Sequence, residues 1–434
     1  MIKPVIISFC FLLAAGFLRA QTAYYYPPNS TDEWVQTSPA LLGWDADYLD
    51  TLYQFLEENN TKGFIILHKG QMVAEKYFGS FTKDSVWYWA SAGKSLTAFL
   101  IGMAQQESYL SINDSTVDYL GEGWTSCSAV EEAKITIRHQ LTMTTGLNTT
   151  AVNLDCTLPE CLKCSYAPGE RWFYHNAPYT LLEKVIENAT GQSVNAWTNA
   201  KLRNTIGLQG FWLKLDYNNV RFGTTRDMAR FGLLALSRGK WNGNDILKDT
   251  AYFNQMISSS QNLNPAYGYL WWLNGKENYI PPGFAASFSG SLIPSAPADM
   301  FAALGKNDQK IYVVPSLDLV VVRCGNAADD VLFALSTFDD DLWKHLQKFI
   351  NPVVALENQT AFSTLRIFPN PVNNMLHWHN KNGNMAHFSI YNIAGKRLMQ
   401  GNTKGSINCS GLATGVYLLQ LSSDETHRQL FIKH

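Results

Sequence analysis

The stretch Trp87-Tyr-Trp-Ala-Ser91-Ala-Gly-Lys94-Ser-Leu-Thr-Ala-Phe-Leu-Ile-Gly-Met-Ala104 constrains this chain more than any other. Aromatic residues and a serine lead into a run that is apolar on every side. Such a run predicts a helix enclosed by protein, not an amphipathic surface helix. A hydrophobic content of 46%, with 13% aromatic residues, is enough for the large core that must enclose it. Ser91 falls in the first turn and Lys94 one turn later. Residues three apart share a helix face, so the amine can reach the hydroxyl. An amine walled in by apolar groups loses the hydration of its charged form; its pKa falls and it becomes a base. Free backbone N–H groups at the helix start can hold a developing oxyanion. Together these are the parts of an acyl-transfer site.

Ser-x-x-Lys also occurs at Ser80–Lys83 and Ser237–Lys240. The first reads as a loop after a strand. The second ends a helical run just before Gly239, which reads as a C-cap. Only Ser91 opens a buried helix. The plainer alternative makes Ser91 a helix cap and Lys94 a surface charge. Tyr174-His-Asn176 is the second candidate, set in an aromatic, proline-bounded loop with a cysteine staple of its own. A tyrosine beside the Ser/Lys pair can relay the serine proton to a leaving group. An asparagine amide can hold Lys94 or a substrate carbonyl. Tyr217-Asn-Asn219 repeats the spacing, and the plainer alternative for Tyr174 is a residue in a core-edge loop. A Ser-His-Asp triad has no Gly-x-Ser-x-Gly elbow to support it, and His175 reads as structural or substrate-facing. His-Glu-x-x-His spacing and Gly-rich phosphate loops are absent from the sequence. No metal or organic cofactor is expected.

Lys3, the apolar run Val5–Phe17 and the small residue Ala20 read as a cleavable signal peptide over residues 1–20. Export permits disulfides. Six cysteines follow: Cys127, Cys156, Cys161, Cys164, Cys324 and Cys409. A Cys156–Cys161 bridge is favoured over a zinc site, which lacks a nearby fourth ligand, and Cys127 with Cys164 is a possible second pair. A formal net charge of -2 with no basic patch predicts no nucleic-acid partner. Strands are expected at 64–68 and 72–78, then mostly helices with loops over 105–260. Strand patterns return near 268, with a hairpin at 311–314 and 319–323, and a helix closes at 330–350. One sheet built from two distant segments and covered by helices fits this order. Residues 21–350 thus form one domain. A polar linker covers 351–363, and short alternating strands from 364 to 434 predict a small β-sandwich.

Ser91-Ala-Gly-Lys94, then Tyr174-His-Asn176, then a late strand motif resembles the serine β-lactamase superfamily. The likeness is closest to the class C β-lactamase-like hydrolases, which include esterases, D-aminopeptidases and 6-aminohexanoate-oligomer hydrolases. It extends over about residues 40–350. Supporting stretches are His139-Gln-Leu-Thr-Met-Thr-Thr-Gly-Leu147, Arg226-Asp-Met-Ala-Arg-Phe-Gly232 and Tyr267-Gly-Tyr-Leu-Trp-Trp272. The resemblance implies an α/β (α+β) fold, with an antiparallel sheet, an all-α domain and the site between them. It implies a Ser91 acyl-enzyme formed from a small or short peptide-like ester or amide, with Lys94 and Tyr174 catalytic and Asn176 and Lys306 binding substrate. The third motif is matched to Gly305-Lys306-Asn307-Asp308, with Lys306 in the cationic position and its N–H helping that of Ser91 to form an oxyanion hole. Asp308 replaces the family's final glycine. That departure weakens the expectation of carboxylate binding and β-lactam hydrolysis. It also supports a second expectation, a non-catalytic or slowly deacylating penicillin-binding-like protein of the cell wall.

Ile367-Phe-Pro-Asn-Pro371, Ile390-Tyr-Asn-Ile-Ala-Gly-Lys396, Leu412-Ala-Thr-Gly-Val-Tyr-Leu418 and Leu430-Phe-Ile-Lys433 resemble the type A sorting domain of the type IX secretion system. This implies export from a Gram-negative cell through the periplasm and outer membrane, with the secretion machinery as partner. The cargo would then be released or attached to surface lipopolysaccharide.

Overall fold

The structure is a computed structural model that describes residues 24–29, 31, 33–148, 153–328, 335–350, 367–378, 385–392, 396–422 and 426–434. The expected signal peptide and linker lie outside the described residues. In chain order the elements that place the site are α1 (Leu49–Glu58), β1 (Thr61–His68), β2 (Gln71–Tyr77), β3 (Trp87–Tyr88) and α2 (Gly93–Gln106). Then come α3 (Asn176–Thr190), β4 (Phe211–Leu215), β5 (Asn218–Gly223), α4 (Thr225–Leu236) and β6 (Trp272–Leu273). β7 (Phe301–Gly305), β8 (Gln309–Val314), β9 (Leu319–Gly325) and α5 (Thr337–Ile350) complete the body.

Phe64-Ile-Ile-Leu67 and Leu319-Val-Val-Val322 are continuous apolar runs, the pattern of strands covered on both faces. They pair antiparallel, Ile65 opposite Val322 and Ile66 opposite Val321, at the centre of a six-stranded sheet ordered β2-β1-β9-β8-β7-β6. Two distant chain segments therefore share one sheet, as expected. On one side α4 lies across β1, β8 and β9. Its approach is close because of Gly232: a Cβ there would stand 2.5 Å from Val320 Cγ1 and 3.0 Å from Ile311 Cγ2. α1 packs on β1 and on α5. Helix α2 is buried from Gly93 to Ala104, and Leu96, Phe99, Leu100 and Ile101 have no exposed surface. Each such side chain contributes about 1.5–3 kcal/mol of transfer free energy, which fixes the helix start in the core.

One segment departs from expectation. Within residues 105–260, β4 and β5 form a hairpin whose inner strand pairs with β3, making a separate three-stranded sheet beside the start of α2. Of the expected 330–350 helix, Thr337–Ile350 is present and residues 329–334 lie outside the described residues. Both proposed disulfides form, Cys127–Cys164 and Cys156–Cys161. The cysteine cluster is thereby committed to bridges, and Cys324 and Cys409 are free and buried. The C-terminal strands form a three-stranded and a four-stranded antiparallel sheet around Val372, Leu376, Ile390, Ile407, Leu419 and Phe431, the small β-sandwich expected.

Candidate active site

Ser91 sits in a single 3-10 turn, Ala90–Ala92, that runs directly into α2. The backbone before it is strained, since Ala90 adopts φ 47°, a region L residues seldom enter. Such conformations persist only where surrounding structure enforces them. Here β3 enforces it from below: the Trp89 N–H donates to Arg221 O of β5 at 2.8 Å, and the Ala92 N–H donates to Trp89 O at 3.0 Å. β7 closes the turn from the side. A Cβ on Gly305 would stand 2.5 Å from Trp89 O and 3.0 Å from Ala92 N, so only glycine lets this strand end reach the serine.

Lys94 Nζ lies 2.8 Å from Ser91 Oγ. The lysine is only 3% exposed, and its amine sits over the rings of Tyr179 (4.2 Å) and Tyr174 (4.9 Å). Burial pushes its pKa down to about 7, and the charge of Asp155 partly opposes that fall. At neutral pH a large share of Lys94 is therefore a free amine able to take a proton. Tyr174 is hydrogen-bonded with Ser91, and burial raises its hydroxyl pKa well above the usual phenol range. It stays a neutral O–H, suited to passing a proton on and unsuited to removing one unaided. Its ring is held by stacking on Trp272 (5.9 Å) and edge contact with Tyr267 (6.2 Å). Ser91, Lys94 and Tyr174 thus meet, from one helix start and one loop 80 residues apart in sequence.

Asn176 opens α3 but engages neither Lys94 nor an open cleft with its amide nitrogen. Its Nδ2 donates to Asp155 Oδ1 at 2.7 Å, while its Oδ1 is buried with no hydrogen-bond partner among the described residues. Asp155 is the residue that sequence reasoning missed. It precedes the bridged Cys156, its loop is joined to α3 by the Ala177 N–H donating to Leu154 O, and its charge acts on both Lys94 and His175. A lone aspartate in a loop carries no local pattern that could have revealed this. His175 is buried, and burial pushes its pKa down to about 4, so it is neutral and structural.

Lys306 follows Gly305 and is exposed at the rim. Asn307 turns back instead, and its Nδ2 donates to the Tyr88 hydroxyl at 2.7 Å. Asp308 points away from the serine into a buried ionic cluster. It lies 3.1 Å from Lys310 Nζ and accepts hydrogen bonds from Ser336 Oγ (2.6 Å) and the Ala328 N–H (3.0 Å). At the position of the family's final glycine, Asp308 is thus engaged by the fold under the turn. The other two Ser-x-x-Lys copies have other engagements. Ser237 Oγ donates to the Leu233 carbonyl at 2.8 Å, Lys240 is a surface group beside Asp245, and Lys83 pairs with Asp84. Asn219, of the second Tyr-x-Asn, donates to the buried Glu183.

Residues 54–334 match the beta-lactamase family. The chain belongs to that family. Residues 366–433 match the secretion system C-terminal sorting domain, which marks this beta-lactamase-family chain for type IX secretion to the cell surface or the extracellular space. An uncharacterized protein of Alkalihalophilus pseudofirmus is 27% identical over 302 residues, covering 60% of this chain and 82% of its own. Among solved structures, a Bacillus anthracis protein provisionally assigned as a 6-aminohexanoate-dimer hydrolase superposes with TM-score 0.56 at 19% identity, covering 74% of this chain and 87% of its own. A penicillin-binding protein homologue from Caulobacter crescentus gives 0.54 at 12% identity (69% and 97% covered). The octameric penicillin-binding protein homologue from Pyrococcus abyssi gives 0.52 at 14% (89% and 95% covered). At these identities the likeness is one of fold: the antiparallel sheet and helices of the beta-lactamase and penicillin-binding proteins.

Proposed function

We propose that this chain is an exported hydrolase that cleaves an ester or amide through an acyl-enzyme on Ser91. One observation carries the reading: a buried lysine amine, its pKa lowered to about 7, lies 2.8 Å from a serine hydroxyl on a strained helix-start turn. Neutral Lys94 takes the Ser91 proton as Oγ bonds to the substrate carbonyl carbon. The backbone N–H of Ser91, with that of Lys306, holds the oxyanion. The proton passes through Tyr174 to the departing nitrogen or oxygen, the scissile bond breaks, and the acyl group remains on Ser91. Water then adds to the acyl carbon, Lys94 receives its proton, and the acid leaves as the Ser91 O–H is restored. Asn176, held by Asp155, is the candidate substrate-binding amide, and Lys306 offers a cation at the rim. In this reading residues 21–350 form the hydrolase, 351–363 the linker and 364–434 the sorting domain. Residues 1–20 direct passage into the periplasm, and the mature cargo is released or attached to surface lipopolysaccharide.

The test is p-nitrophenol release from a short-chain p-nitrophenyl ester by the mature protein and by Ser91→Ala, with intact mass read on both. Turnover with a transient acyl adduct on the Ser91 form alone is expected. An adduct without turnover would instead make the chain a penicillin-binding-like acyl acceptor, and neither would remove Ser91 as nucleophile.

A further inference from the structure

The sheet β3-β5-β4 has one closed and one open face. On the closed face Trp212 and Arg221 are buried against the start of α2, where a Cβ on Gly93 would stand 3.2 Å from Arg221 Cβ. Alternate residues of a strand point to the opposite side, and a solvated sheet face ordinarily carries polar side chains. Here it carries Phe211, Leu213 and Leu215, at 45%, 43% and 46% exposure. Phe211 pairs across with Phe222 and Leu213 with Val220, and Phe222 pairs in turn with Tyr88 of β3. Phe211 and Phe222 stack at 5.5 Å and 7°, and Phe222 stands 6.4 Å from Tyr88. The result is a continuous apolar strip of six side chains with no carboxylate or amine in its rows. Exposed apolar patches of this kind mark binding surfaces.

The inner end of the strip identifies its occupant. Tyr88 is three residues before Ser91, and its hydroxyl accepts the hydrogen bond from Asn307 on the turn after β7. The strip therefore begins at the wall of the serine turn and runs outward from it. With strands roughly 4.8 Å apart, the row Tyr88–Phe222–Phe211 spans about 10 Å, and Phe211 to Leu215 adds about 13 Å along β4. An extended chain of roughly eight carbons covers the row.

We propose that this strip is a substrate subsite for an aliphatic chain, so that the esters or amides opened at Ser91 carry a medium-length apolar group. The proposal rests on the Ser91 reading for its chemistry and on the strand register for its specificity. A methylene laid on a half-open apolar face is expected to raise kcat/KM about twofold.

The experiment compares p-nitrophenyl acetate, butyrate and octanoate, below their micellar concentrations, on the mature protein, Phe211→Asp and Leu213→Asn. A rise of about 30-fold or more in kcat/KM from acetate to octanoate is expected, mostly lost in Phe211→Asp and partly in Leu213→Asn, with the acetate rate kept. A flat chain-length series in the wild type, or one unaffected by both variants, overturns the proposal. Leu213, next to Phe211 on the same face and opposite Val220, flanks the row, and Leu213→Asn keeps the test alive if Phe211→Asp unfolds. Calorimetric binding of 1-octanol against 1-butanol does not pass through Ser91. A preference for octanol that Phe211→Asp removes sustains the strip even if no ester is turned over, and equal affinities refute it. A dimer in sedimentation velocity that Phe211→Asp dissolves, with chain-length selectivity unchanged, would assign the face to a second copy and also overturn the proposal.

Discussion

Lys94 and Lys310 are both buried beneath the sheet and helices of the body, and their surroundings make them opposites. Lys94 stands under two tyrosine rings beside a serine hydroxyl, with no ion pair to a carboxylate among the described residues. Lys310, at 0% exposure, stands between Asp339 (2.7 Å) and Asp308 (3.1 Å), and the Tyr312 hydroxyl donates to the far oxygen of Asp339. The Asp308 carboxyl is held below the usual range: burial would raise it, but Lys310, the Ala328 N–H, Ser336 and Arg323 together outweigh that. Arg323 completes the cluster by donating to the Asn307 and Asp308 carbonyls, both at 3.0 Å, which pins the turn next to the serine. Burial by itself therefore does not make a lysine reactive. An amine buried without a counter-ion becomes a base, and one buried with two becomes a structural cation.

The contrast can be broken by experiment. Lys94→Met should lower kcat/KM by about 10³-fold or more, because the base is gone, yet raise the melting temperature, because a desolvated amine is replaced by an apolar chain of similar shape. The stability sign follows from linkage. The folded pKa of about 7 lies below that of the unfolded chain, so the unfolded state binds the extra proton between the two values. The penalty is whole below pH 7 and fades as pH rises, and thermal scans at pH 6 and pH 9 should show the gain mainly at pH 6. Lys310→Met should do the reverse, costing about 3–5 kcal/mol in urea unfolding because it strands Asp308 and Asp339. If the two substitutions shift stability alike, the distinction fails. Tyr174→Phe should lower kcat by about 10–100-fold with little change in KM, read from steady-state kinetics, since it removes only a proton relay. The finest test is the pH profile. Activity should climb through a limb near pH 7 as Lys94 loses its proton. Asp155→Asn keeps an acceptor for Asn176 and removes the charge that raises Lys94, so this limb should move to lower pH; a limb that stays or rises would remove Asp155 from the site's electrostatics.

The same contrast explains what could be read from sequence. Ser91 and Lys94 are one helical turn apart in an apolar run, a local pattern, and Thr225–Leu236 is a helix at the positions expected. Lys310 and its partners come from β8, the turn before it and α5, so nothing local announces them. Asp308, taken alone, looked like a missing glycine. The β4–β5 hairpin escapes the strand pattern because Trp212, inward between the outward Phe211 and Leu213, breaks the apolar–polar alternation of a half-buried strand. Asp155 reaches Lys94 only through the folding of a disulfide-bridged loop.

The pairing of β1 with β9 joins residues more than 250 positions apart. Contacts this remote make folding slow, since the closing strand must find its partner across most of the chain. During synthesis the serine turn emerges long before β7 exists to brace it. A nascent chain therefore holds Ser91 in an unassembled turn until the last strand of the sheet, ending at residue 325, has been made.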